Sequence, residues 1–110
     1  MDDMVNLLQE TIGALEDNGK TTDDVLWIGN SENSWEWDEF SKKADFEYSN
    51  GLGLVYIPED IVVVGKDWWL ERYEYDGSEE WKFKTMPVRY SANENFVLKI
   101  DDLNKYFEEE

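Results

Sequence analysis

A chain of 110 residues with 41% hydrophobic and 15% aromatic side chains has apolar material for one core and not for two, and enough of it to argue against disorder. Its 27 acidic residues against 10 basic give a net charge of −17, a field that repels nucleic-acid phosphates and anionic lipid headgroups and attracts basic protein surfaces. With no cysteine and no histidine, disulfides and thiolate metal sites are excluded, and the usual general base and imidazole ligand are missing.

The charge is uneven, because residues 1–41 hold eleven carboxylates against Lys20 alone, a local charge of −10. The N-terminus is acidic and no apolar run approaches the length of a membrane span, so the expectation is a soluble cytoplasmic protein with no membrane contact. No repeat, low-complexity tract or Pro/Gly-rich linker divides the chain, and residues 1–110 read as a single acidic domain.

In chain order, Val5, Leu8, Ile12 and Leu15 recur at intervals of three and four, which predicts an amphipathic helix over 3–17, capped by Asp2 or Asp3 and ended at Asn18-Gly19. Val25–Gly29 reads as a short strand. In the following stretch Trp35 and Trp37 alternate as in a strand, while Trp37, Phe40 and Ala44 step as in a helix; the reading is a short helix from about Asp38 to Ala44. Residues 48–60 carry three close turn signals, Asn50-Gly51, Gly53 and Pro58, and are expected to be mostly irregular.

From Ile61 the pattern is that of a sheet. Ile61–Val64 is apolar and β-branched throughout, as in a strand covered on both faces, and Gly65-Lys66 suits a two-residue turn that sets Val63 opposite Trp68 and Ile61 opposite Leu70. Asp76-Gly77 is a second hairpin signal. The predicted fold is α+β, with the N-terminal helix packed on a small antiparallel sheet that meanders around 61–85. Phe96–Ile100 is predicted as a further strand and a short helix from Asp101 as the end.

Side-chain parity sorts the Asp76-Gly77 hairpin into two faces. Trp68, Leu70, Arg72 and Glu74 share one with Trp81 and Phe83, the expected core face, where Arg72 would lie beside an aromatic ring with Glu74 in reach. The other carries Trp69, Glu71, Tyr73 and Tyr75 with Glu80, Lys82 and Lys84. That second face is either a solvated cross-strand ladder or an interaction surface built on the row Trp69, Tyr73 and Tyr75, since Trp and Tyr dominate interface hot spots.

The segment DIVVVGKDWWLERYEYDGSEEWKFKTMP, with GKTTDDVLWIG and FEYSNGLG upstream, resembles a group of small proteins from bacteriophages and prophages of Gram-positive bacteria, in which a tryptophan-bearing strand leads into an E-Y-D-G-S-E turn and a second tryptophan. The resemblance spans roughly residues 18–87 and is most specific from Trp69 to Trp81. It implies an origin, in the cytoplasm of a bacterial host, and no particular chemistry.

Catalytic patterns are sparse. The carboxylate pairs Glu59-Asp60, Glu79-Glu80 and Asp101-Asp102 arise readily in so acidic a chain, and neighbours on a strand point to opposite faces. No phosphate-binding or dinucleotide glycine pattern and no calcium-loop spacing occurs. No catalytic, cofactor-binding or metal-ligating residue is assigned, and the chain is expected not to be an enzyme. The expected function is a phage or prophage accessory protein acting by protein–protein interaction on a basic surface, with an acidic mimic of nucleic acid as one form of that role, and without direct binding of nucleic acid. Asp23, Asp24, Glu36, Asp38 and Glu39 would supply attraction, and Trp69, Tyr73 and Tyr75 specificity. The alternatives are a small ligand-binding or enzymatic domain that uses the aromatic face and the Gly51–Gly53 loop, and a structural or assembly protein.

Overall fold

The computed structural model describes residues 4–51, 57–92 and 94–98. The chain begins in extended conformation: β1 (Met4–Asn6) pairs antiparallel with β4 (Glu47–Ser49), Val5 lying opposite Tyr48. The helix α1 therefore covers Leu7–Asp17, a turn shorter than its apolar period predicts. Its cap is Asn6, not Asp2 or Asp3: the Asn6 Oδ1 accepts the Gln9 N–H at 3.0 Å while its amide donates to Asp45 at 3.0 Å. An extended partner strand won residues that helical periodicity alone would have claimed.

The buried stripe of α1 is Leu7, Thr11 and Leu15, one position away from the expected Leu8 and Ile12, which are half-buried. Thr11 is tolerated on that stripe because its hydroxyl donates to the Leu7 carbonyl at 2.7 Å and accepts the Trp81 indole N–H at 2.9 Å; both groups are thereby satisfied out of water. The helix ends as expected, with Asn18 at its C-cap and Gly19 at φ 72°, a conformation glycine adopts without steric cost.

A five-stranded antiparallel sheet runs in the order β3 (Ser34–Trp35), β2 (Trp27–Gly29), β5 (Val62–Val64), β6 (Trp68–Tyr75), β7 (Ser78–Thr85). The Asp76-Gly77 turn is as predicted, with φ of 52° and 85° and Tyr75 opposite Ser78, the positive-φ pair of a type I′ hairpin. Both hairpin faces keep the expected membership.

The turn before it differs. Val63 faces Leu70 rather than Trp68, and the Gly65 N–H bonds the Trp68 carbonyl at 2.9 Å, so Lys66-Asp67 is the two-residue connection. Gly65 serves by lacking a side chain: a Cβ there would collide with the Trp68 indole. The ring occupies the space that glycine vacates, which moves the register by one position along each strand while leaving parity unchanged.

Both helices pack on one face of the sheet. α2 (Trp37–Lys43) contributes Phe40, with Ala44 beyond it, to a core shared with Leu7 and Leu15 of α1 and with Ile28, Val63, Trp68, Leu70 and Trp81 of the strands. The opposite face is uncovered among the described residues, so Val62 and Val64 are only half-buried, and the expectation of a strand covered on both sides fails there. After β7 the described tail to Leu98 is irregular. The predicted strand at Phe96–Ile100 is absent over Phe96–Leu98, where a lone apolar triplet has no ladder to join; Lys99, Ile100 and the helix predicted from Asp101 lie outside the described residues, as do Leu52 and Gly53 of the Gly51–Gly53 loop.

Candidate functional site

Cross-strand pairing assembles the open face of the sheet. Trp27, Val64, Trp69 and Lys84 lie in register across four strands. The next row is Gly29, Val62, Glu71 and Lys82, followed by the pairs Tyr73–Glu80 and Tyr75–Ser78. Along β6, only Trp69–Glu71 pair with β5, so the outer half of the β6–β7 hairpin extends beyond its neighbour and carries Tyr73 and Tyr75 into solvent.

Of the predicted aromatic row, Tyr73 is 40% and Tyr75 69% exposed, while Trp69 is half-buried. The tyrosine rings stack with centroids 6.5 Å apart and planes 5° from parallel, and Lys82 Nζ stands 4.7 Å from the Tyr73 centroid. The Trp69 indole N–H donates to Glu71 at 2.7 Å, and the Glu71 carboxylate lies 3.9 Å from Lys84 Nζ. Lys82 and Lys84 are thus balanced by Glu80 and Glu71, which makes the aromatic face locally neutral within a strongly acidic molecule.

The acidic residues sit at the other end. Glu36 occupies the N-cap position of α2, and Asp38 and Glu39 lie in its first turn, where carboxylates complement the helix dipole. Glu36 and Glu39 share a shallow concavity of about 660 Å³ with Leu26, Trp27 and Trp35. Trp27 therefore joins the acidic rim to the aromatic face. Sequence reasoning does not single it out, although Trp27 alternates with buried Ile28 in a short apolar strand. Asp23 and Asp24 are exposed in the 3-10 turn Thr22–Asp24 just before β2, and Asp24 is partly engaged by the Thr21 N–H at 2.8 Å.

The most elaborate polar cluster is inside. Arg72 and Glu79 have side chains only 3% exposed and meet at 3.0 Å; Glu10 of α1 stands 3.7 Å from the same guanidinium. Tyr48 ties them together, donating to Glu10 at 2.6 Å and accepting from Arg72 at 2.9 Å. The guanidinium lies over the Trp81 ring at 4.6 Å, as its position beside an aromatic predicted. Its acidic partner differs from expectation: Glu74 is exposed and accepts the Gly77 N–H of the turn at 2.8 Å instead.

Burial raises the Glu10 carboxyl above its ordinary range, partly offset by the Tyr48 hydrogen bond and the Arg72 charge. The Tyr48 phenol is pushed well above its usual value by burial and by donating to Glu10. A cavity of about 40 Å³ beside Arg72, between Ile57, Glu59, Glu74 and Glu79, is the size of a water site and not of an organic ligand. The cluster's geometry is that of an internal brace between α1, β4 and the hairpin.

The adjacent acids Glu79 and Glu80 point to opposite faces, one buried and one exposed. Among the described residues no group of three or more acidic side chains is arranged to hold a metal ion, and no described helix is long and apolar enough to cross a membrane. Comparison with protein-family models, with curated protein sequences and with solved structures yields no match.

Proposed function

We propose that the chain is a binding domain whose partner presents a basic protein surface, and that it acts as a phage or prophage accessory protein in a bacterial cytoplasm. One observation carries the reading: a sheet face that no other described element covers, bearing Trp27, Trp69, Tyr73 and Tyr75, runs into an acidic rim at Glu36, Asp38 and Glu39. Aromatics supply retained affinity, and charge complementarity supplies approach and partner choice. Trp27, Tyr73 and Tyr75 lie along shallow concavities rather than in an enclosed cleft, which favours a protein surface over a small molecule. Carboxylates displayed this way also suit imitation of nucleic-acid phosphates in a basic groove, and the net charge of −17 disfavours binding nucleic acid itself.

Affinity capture from a bacterial lysate, repeated at low and high salt, should retain a basic protein only at low salt. With that partner in hand, joint neutralisation of Asp23, Asp24, Glu36, Asp38 and Glu39 to Asn or Gln should slow association and flatten its salt dependence. Tyr73→Ala should chiefly speed dissociation. A partner whose association rate ignores both salt and the acidic substitutions would overturn the electrostatic mechanism.

A further inference from the structure

We propose that two copies of this chain associate by reciprocal exchange of their C-terminal segments, with the apolar triplet Phe96–Leu98 of one copy lying across an apolar groove of the other and Leu98 entering it. The donor is visible in the described tail. Met86, Val88, Tyr90, Phe96, Val97 and Leu98 are each between 58% and 84% exposed, and so many exposed large apolar side chains in one short segment point to an interaction segment.

The acceptor lies on the helical side of the fold. Trp35, Phe40, Phe46, Ile57 and Ile61 line an apolar groove of about 180 Å³ with Lys43 at its margin, space for one large side chain and part of a second. Lys42 and Lys43 are the only adjacent basic pair in the chain, and neither makes an ion pair among the described residues. Lys43 Nζ stands 5.8 Å from the Trp35 ring.

The two halves match in polarity as well as in apolar character. The Phe96–Leu98 triplet is flanked in sequence by Glu94 on one side and by Asp101 and Asp102 on the other, acids that complement the lysine pair beside the groove. Donor and acceptor thus occur in every chain, and among the described residues no side chain of the tail lines the groove. The residues between Thr85, where β7 ends, and Phe96 can span about 35 Å when extended, enough for the segment to reach across to a second copy. A two-fold pair satisfies both segments and both grooves at once, and forming the two contacts together strengthens each.

The charge of −17 on each copy opposes this pairing, so added salt should favour it. Docking of a basic partner responds to salt in the opposite sense, and the two proposals can therefore fail separately. Sedimentation equilibrium of the full chain should show mass moving from 13.1 kDa towards twice that value as protein and salt concentrations rise. Leu98→Asp and Phe46→Ser alter an exposed tail side chain and a half-open groove side chain, and each alone should lose the dimer. An equimolar mixture of the two variants should recover it in part, because one intact segment then meets one intact groove. A chain that stays monomeric at every salt concentration overturns the proposal. So does a Leu98→Asp variant that lowers the urea midpoint of a monomer, which would place the segment on its own chain, or a mixture that recovers no dimer.

Discussion

Arg72 shows how one residue's environment decides its role. A guanidinium held 3.0 Å from Glu79, stacked on Trp81 and almost fully removed from water is costly to leave half-paired, so Glu79→Ala should destabilise the fold by about 3–5 kcal/mol, read from urea titration. A loss under half that size would mean that Glu10 or solvent takes over the charge. Glu10 behaves in the opposite sense. Its raised pKa means that the folded state holds its proton more tightly than the unfolded state, so this group's contribution to stability declines as pH climbs from the ordinary glutamate value through the raised one. Glu10→Gln, which still accepts from Tyr48, should be neutral or stabilising at pH 7 and should remove that decline from the pH–stability profile. An unchanged profile would assign the decline to other groups. Trp81→Ala removes the Arg72 platform and the Thr11 bond together and should cost about 3–5 kcal/mol; Trp69→Ala on the open face should cost distinctly less. Equal losses in urea would mean that the outer face is buried and could not serve as a docking surface.

At the level of elements, turn chemistry sets one hairpin and packing sets the other. Asp76-Gly77 places a two-residue turn through backbone conformation alone, which is why both faces of β6 and β7 are legible from parity. Gly65 carries no positive φ, and its role depends on an indole three residues later that no local rule places over it. Gly65→Ala should cost about 1–3 kcal/mol by overpacking against Trp68, and nuclear Overhauser contacts should link Val63 with Leu70 in the wild type. Contacts of Val63 with Trp68 directly across the strand would restore the other register and reject the packing explanation. The start of α1 departs from its apolar period for a related reason: Met4–Asn6 carries a helical period but pairs with Glu47–Ser49, some forty residues away.

Across the whole molecule, charge outweighs every other feature. A net −17 on so short a chain repels itself in the compact state, and the Debye length falls from about 30 Å at 0.01 M salt to about 10 Å at 0.1 M. Urea midpoints should therefore rise with sodium chloride while the slope stays constant. A flat response would show that the acidic residues are as well separated in the fold as in the unfolded chain. The buried Arg72–Glu79 pair should contribute little to this trend, being shielded from salt by the core.

Periodicity, residue type and glycine-bearing turns are enough to establish an α+β domain, the short helix α2, the two faces of the β6–β7 hairpin and the placement of Arg72 beside an aromatic ring. These are local properties: side chains two apart on a strand, or three to four apart on a helix, share a face whatever else the chain does. What covers a face is not local. Glu10, Tyr48, Arg72 and Glu79 are spread over seventy residues and become one cluster only when α1 and β4 close against the hairpin. Trp27 joins Trp69 only through the register of β5. Because α1 and α2 settle on the same side of the sheet, no other described element covers the opposite side, and that choice, made by packing, gives the described fold its aromatic face.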